Sequence, residues 1–354
     1  MGDANNAAGV ENAADADGEG AAFKLLGMIS ANWMSQAICV AVELRIADFL
    51  ADGPKSVFDL ARLAQCHEGS LNRLMRALAS LAICSELPDR SFELTDLGGL
   101  LRRDQPQSLW CSALWWGRHQ PEIWENLLYS VKTGESARKL VTRLDGYGYL
   151  ESDARVAGAF NGAMVELTRL VAREVSRLHD FAEAHWIVDV GGGYGELLTV
   201  ILADYPQLKG TLLELPHALE GATLRLAESA LIHRCEVIAG DFFESVPVGA
   251  DRYVLKSVLH NWDDERSALI LANCHRAMSR KGRLVIVERL LPARMGASRF
   301  ERSAARADLN MLLGCGGRER TERELLALLS SSGLRSDRIV PTAFDFSVID
   351  AYRV

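Results

Sequence analysis

From Trp186 onward the chain alternates short apolar stretches with helical ones, and no other feature limits the possible folds so strongly. Ile187–Val190, Thr211–Glu214, Glu236–Ala239, Arg252–Leu255 and Leu284–Val287 read as strands. Between them lie helical patterns such as Asp264 to Ser279, which stops before Gly282. Apolar strands spaced by helices pair as a parallel sheet with both faces covered. Thr321-Glu322-Arg323-Glu324 forms a capping box opening a helix through Leu329. Val340 and Ser347 to Tyr352 supply two last strands in a hairpin. Residues 186–354 are therefore expected to form an α/β domain.

The chain before it reads as helical. Leu26, Trp33, Ala37, Val40, Leu44 and Ala47 recur at helical spacing. They predict a long apolar helix that packs in its own core or against a second subunit. Two shorter patterns follow, one capped by Ser56 through Leu60 and Leu63, one capped by Ser70 through Leu71, Leu74, Met75, Leu78 and Leu81. Ser91 to Thr95 alternates as a strand. Helix, helix and strand in this order predict a winged helix-turn-helix over residues 23–105. Residues 106–185 form a helical linker and pocket region, in which Trp110, Trp115, Trp116, His119 and Trp124 are core or line a pocket for a flat apolar molecule. Residues 1–22 hold four acids between Asp3 and Asp17 and no Lys or Arg. That is a disordered tail, not a secretory leader.

Charge and cysteines exclude several functions. The formal net charge is −8, and nucleic-acid binding needs a basic surface. The second short helix offers only Arg73 and Arg76, too few for a recognition helix. The seven cysteines are scattered with no C-x-x-C pair, so neither a zinc site nor a disulfide framework is expected. They read as reduced thiols in the cytoplasm. No apolar run is long enough to span a bilayer, so no membrane partner is expected.

The chemistry gathers at the strand ends, where parallel sheets bind ligands. The first strand runs into Gly191-Gly192-Gly193-Tyr194-Gly195. Glycines permit a tight turn and expose N–H groups at a helix start. Glu214 closes the second strand about 20 residues on, where an acid accepts from both ribose hydroxyls. A dinucleotide and S-adenosylmethionine both fit these two features. Glu196 stands where a dinucleotide fingerprint has Gly or Ala. A carboxylate beside a pyrophosphate is unfavourable, so Glu196 favours the cationic methyl donor. The third strand ends in Gly240-Asp241-Phe242-Phe243, the fourth in Lys256-Ser257-Val258-Leu259-His260-Asn261-Trp262-Asp263-Asp264.

Together the blocks Val188 to Gly195, Gly240 to Phe243, Leu259 to Glu265 and Gly316 to Thr321 resemble the class I S-adenosylmethionine-dependent small-molecule O-methyltransferases, over roughly residues 23–354. The resemblance implies a Rossmann-like methyltransferase sheet with an N-terminal helical winged-helix dimerisation domain, a homodimer, S-adenosyl-L-methionine as donor and no metal. It implies that Gly191, Gly193, Glu214, Gly240, Asp241, Phe242 and Lys256 hold the donor. It makes His260 the general base, flanked by Glu288 and Glu319. It places Phe160, Met164, Asn261 and Asn310 at the acceptor, a small and aromatic metabolite. Where many relatives have Asp after the histidine, this chain has Asn261. N- or C-methylation, decarboxylation or hydroxylation on the same fold is the alternative, because a fold alone does not fix chemistry.

Overall fold

The structure, a computed structural model, describes residues 14–354, with side chains described from residue 20. It divides into two compact units, up to Arg118 and from His119 to Val354.

In the first unit the expected long helix is broken. α1 (Ala14–Ile29) and α2 (Asn32–Glu43) are bent by 44°, and Arg45 turns left-handed before α3 (Ile46–Phe49). The apolar spacing carries no mark of this, because the period resumes after the break. Of the expected tail, residues 1–13 lie outside the described residues, and from Ala14 the backbone is in α1. α4 (Val57–Ala64) is capped by Ser56, whose hydroxyl accepts from the Asp59 amide at 3.1 Å. α5 (Glu68–Ser80) starts earlier than expected: His67, not Ser70, is its cap, with Nδ1 accepting from the Ser70 amide at 3.2 Å. β1 (Cys84–Glu86) and β2 (Phe92–Leu94) form an antiparallel hairpin, followed by α6 (Asp96–Gly99) and α7 (Trp110–Leu114). Leu50, Leu60, Met75, Leu78 and Phe92 make this unit's core. Phe23 and Trp33, by contrast, are 74% and 73% exposed.

The second unit opens with short helices, α8 (Pro121–Glu125), α9 (Leu127–Thr133), α10 (Ala137–Thr142) and α11 (Tyr149–Ser152), then the long α12 (Ala154–Leu178). The region read as a linker is thus split, and residues 119–185 belong to the second unit. The five expected strands are β3 (Trp186–Val190), β4 (Lys209–Glu214), β5 (Cys235–Ala239), β6 (Arg252–Lys256) and β7 (Arg283–Glu288). α13 (Glu196–Asp204), α14 (Leu219–Glu228) and α15 (Asp264–Ala277) lie between them. Then come β8 (Leu290–Leu291), α16 (Arg299–Gly314), β9 (Arg320–Thr321), α17 (Glu322–Ser331), β10 (Leu334–Pro341) and β11 (Ser347–Arg353).

The large sheet has the order β10-β11-β7-β6-β3-β4-β5. β3 to β7 are parallel, and β11 runs against both its neighbours. Alternating side chains divide between two cores, as the strand period of two requires. Val188, Val190 and Leu255 pack with α15 and α17 on one face; Ile187, Val254 and Val287 pack with α12, α13 and α14 on the other. The strand order reverses at β3, so the ligand crevice is expected at the carboxyl ends of β3 and its neighbours.

A buried charge cluster fixes the helices around that crevice. Glu196, the first residue of α13, is 4% exposed. It accepts from Arg169 Nε of α12 at 3.1 Å and from Arg225 Nε of α14 at 2.8 Å. Removing one partner of a buried pair strands the others. Glu196→Ala is expected to cost about 2 kcal/mol in urea unfolding, less than a fully buried pair because both arginines keep some solvent. An unchanged unfolding midpoint would show that the cluster contributes nothing.

Candidate active site

The centre of the site is a short turn at the end of β6. Ser257 adopts φ 55°, a left-handed conformation that costs a residue with a side chain about 1–2 kcal/mol. The chain then enters one 3₁₀ turn, Leu259–Asn261. Glu288, the last residue of β7, caps this turn: its Oε1 accepts from the amides of Val258 at 3.0 Å and Leu259 at 2.8 Å. Its Oε2 lies 3.5 Å from His260 Nδ1. Glu319 Oε1 lies 3.0 Å from the same nitrogen. Nδ1–H donated to a carboxylate leaves the Nε2 lone pair as the ring's accepting position. Donor atoms of the three residues lie within 4.8 Å of one another, a spacing that a metal-ligand trio also shows. Here the bond from Nδ1 to Glu319 accounts for it without an ion.

All three side chains are buried. Burial alone pulls the His260 pKa down, but the charges of Glu288 and Glu319 outweigh it, and the ring titrates above an ordinary imidazole. Burial raises the Glu288 pKa, against the pull of His260.

Glu319 reaches the ring from far along the chain because the loop before it comes very close. A Cβ on Gly317 would stand 2.2 Å from the His260 carbonyl oxygen, so only glycine fits there. Arg318 N donates to that same carbonyl at 2.9 Å. The buried Arg320 clamps the turn from below. It donates to the carbonyls of Leu259 and Trp262, both at 2.9 Å, to Ser267 Oγ at 3.0 Å and to Asp264 at 2.9 Å. Asp308 of α16 accepts from the Glu319 amide at 2.8 Å.

The glycine turn lies at the end of β3. Gly191, Gly193 and Gly195 all have positive φ. A Cβ on Gly191 would press on Phe242 at 3.2 Å and Val258 at 3.3 Å. Gly240 is needed for packing, since a Cβ there would come within 2.5 Å of Leu213. Glu214 points into the turn, its Oε2 accepting from the Gly193 amide at 2.8 Å and its Oε1 from Leu215 at 2.7 Å. Asp241 Oδ1 accepts from the Phe243 amide at 2.8 Å. Lys256 Nζ donates to Thr168 of α12 at 3.0 Å. Its pKa falls to about 8, first by burial and then by Arg289. Beneath the turn Asp189 is buried with both carboxylate oxygens unpartnered. Burial, aided by Glu214, lifts its pKa to about 7. Glu196 does not face this turn as a free carboxylate, because Arg169 and Arg225 hold it. The argument from its charge against a pyrophosphate therefore fails.

Among the residues expected at the acceptor, Phe160 packs 5.7 Å from Tyr147, which meets Trp262 edge-on at 6.4 Å; Trp262 in turn lies 6.3 Å from Phe242. These aromatic rings join the α12 wall to the glycine turn. Met164 is one helical turn beyond Phe160, and its carbonyl accepts from Thr168 Oγ1 at 2.7 Å. Asn310 of α16 has a buried Oδ1 without a partner. Asn261 donates from Nδ2 to the Ser257 carbonyl at 3.0 Å. That bond steadies the left-handed residue, and a carboxylate could not make it. The sequence reading missed Arg320, Tyr147 and Asn161. Arg320 sat inside a block already singled out, yet no local pattern distinguishes a buried arginine from a solvated one.

A family model for an O-methyltransferase domain matches residues 124–335, and one for an O-methyltransferase dimerisation domain matches residues 26–104. A phenazine O-methyltransferase of Lysobacter antibioticus is 38% identical over 92% of this chain and 95% of its own. The structure of the mitomycin 7-O-methyltransferase superposes with a TM-score of 0.87 at 34% identity, covering 96% of this chain and all of that one. An O-methyltransferase from neocarzinostatin biosynthesis, solved with S-adenosylmethionine and 2-hydroxy-5-methyl naphthoic acid, gives 0.75 at 29% identity, covering 90% and 96%. Aclacinomycin 10-hydroxylase of Streptomyces purpurascens is also similar, at 34% identity over 89% of this chain and 86% of its own, so the likeness alone does not fix the reaction. With both its domains matched along most of their length, the chain belongs to the O-methyltransferase family.

Proposed function

We propose that this enzyme transfers a methyl group from S-adenosylmethionine to a hydroxyl oxygen of a small aromatic metabolite, with His260 as general base. The observation that carries this reading is the buried His260 ring, held through Nδ1 by Glu319 with the Glu288 carboxylate 3.5 Å away, so that Nε2 is left to accept a proton. When bound, S-adenosylmethionine supplies an electrophilic methyl group on a sulfonium. The glycine turn, Glu214, Asp241, Phe242 and Lys256 would hold it. The open side of Gly193 and the acids at the strand ends suit its cationic and hydroxyl groups. Phe160, Met164, Asn261 and Asn310 would position the acceptor.

The task left to the protein is alignment and deprotonation. A phenol has a pKa of about 10 and a free imidazole about 6.5, a mismatch of about 5 kcal/mol. Two carboxylates beside His260 narrow that gap by stabilising the protonated ring. The aromatic walls exclude water, which strengthens attraction between the developing oxyanion and a bound cation. A hydroxylation or decarboxylation would not call for a base braced in this way. Oxygen methylation does, and this favours it over those two.

His260→Gln is expected to keep donor binding by calorimetry while methylation of phenols falls at least about 100-fold, the usual contribution of a general base. Unchanged turnover by product mass spectrometry would remove His260 from the role. The pH dependence gives a second check. The acidic limb of kcat/KM reports the loss of neutral His260 as pH falls, and in the wild type it is expected above the value of an ordinary imidazole. Glu319→Gln removes one of the charges raising that pKa. The limb is expected to move to lower pH while the plateau rate drops. A limb that stays in place would mean that another group titrates.

The chain is also proposed to work as a homodimer. Phe23, Leu26, Ile29 and Trp33 expose apolar side chains on α1 and α2, and exposed apolar patches mark interaction sites; the dimerisation-domain match covers most of them. Phe23→Asp with Trp33→Asp is expected to halve the mass seen by light scattering. A variant that stays dimeric would place the interface elsewhere. Among the described residues no single helix is long and apolar enough to cross a membrane, although the bent pair of Gly20–Ile29 and Asn32–Glu43 passes by length and composition together.

A further inference from the structure

One buried side chain beside the glycine turn leaves its oxygen without a hydrogen bond among the described residues. Asn161, on α12, is 2% exposed. Its Nδ2 donates to the Ala157 carbonyl one turn back, at 3.0 Å. That bond fixes which end of the amide is oxygen. Oδ1 accepts no hydrogen bond among the described residues, and unlike the oxygens of Asp189 and Asn310 it is not sealed off, so it reaches open space from an otherwise buried side chain.

The direction of this oxygen is informative. It lies 3.9 Å from where a Cβ on Gly193 would stand, and among the described residues other than Gly192 and Tyr194 nothing else comes within 4 Å of that point. Gly193 has φ +60°, and its amide is already engaged, donating to Glu214 Oε2. A bare glycine thus presents open space, with an acceptor oxygen facing it. Phe160 and Met164 of the acceptor wall lie on the same helix, one residue before and three after. Asp241 and Phe242 stand at a different strand end, after β5. The oxygen therefore faces the methionine end of the donor site, next to the acceptor, rather than the adenine end. The group at that end of S-adenosylmethionine that carries N–H donors and positive charge is the α-ammonium.

We propose that Asn161 Oδ1 accepts a hydrogen bond from the α-ammonium of the bound methyl donor, an inference that rests on the reading of this turn as the donor site. A hydrogen bond to a charged group, made out of water, is among the stronger ones. Asn161 would thereby fix the methionine arm relative to the helix that carries the acceptor wall.

The test compares two ligands by calorimetry, S-adenosylhomocysteine and its analogue lacking the α-amino group. Asn161→Ala is expected to weaken S-adenosylhomocysteine about ten- to a hundredfold and to change the affinity of the deaminated analogue by no more than about twofold. Equal losses for both ligands would mean that Asn161 serves only the helix, and the assignment falls. If the alanine variant does not fold, Asn161→Leu, which keeps the side-chain volume, carries the same comparison. A wild-type protein that binds neither ligand would overturn the donor reading itself, which separates that failure from a failure of Asn161.

Discussion

The site is organised by one interaction, the hydrogen bond between His260 Nδ1 and Glu319 Oε1 in a place closed to water. Buried charges are tolerated only when paired, so everything near this bond serves to make the pairing geometrically unavoidable. Glu288 fixes the backbone of the turn through the Val258 and Leu259 amides, and adds its second oxygen to the field on the ring. Arg320 fixes the same turn through its carbonyls. One residue thus satisfies the turn's donors and the other its acceptors, and the imidazole between them has little freedom to rotate. The consequence is chemical: the same carboxylates that hold the ring make its protonated state favourable, which is what a base for a weakly acidic hydroxyl requires.

The second organising feature is close approach. Gly317 brings the Glu319 loop against the His260 carbonyl, and Gly191 lets Phe242 and Val258 pack beside the glycine turn. In both places a methyl group would hold the walls apart. Helix α12 connects the two halves of the site. It carries the Phe160 and Met164 side chains, meets Lys256 through Thr168, and is tied through Arg169 to Glu196 at the start of α13. A shift of this one helix would move the Phe160 wall and the glycine turn together.

Much of this was legible in the sequence, and the reason is physical. Parallel strands covered on both faces must be apolar throughout, so β3, β4, β5, β6 and β7 stood out as short runs. The terminal hairpin and the capping box at Thr321 also lay where the pattern placed them. Local signals were weaker where geometry is set by tertiary contact. The break between α1 and α2 leaves the apolar period intact, and His67 replaces Ser70 as a cap because a ring nitrogen accepts as well as a hydroxyl. Glu196 shows how a correct preference can rest on a wrong reason: its charge is spent on two arginines distant in sequence. Arg320 was invisible for the same cause, since its role depends on carbonyls supplied by another segment.

The account is tested most directly by a structure of the complex with S-adenosylhomocysteine and the phenol that the enzyme methylates best. It predicts the acceptor oxygen within about 2.6–3.2 Å of His260 Nε2, on the line that extends from the donor sulfur past the missing methyl group. A bound acceptor whose hydroxyl lies beyond reach of that nitrogen, or is held by a different base, would contradict it.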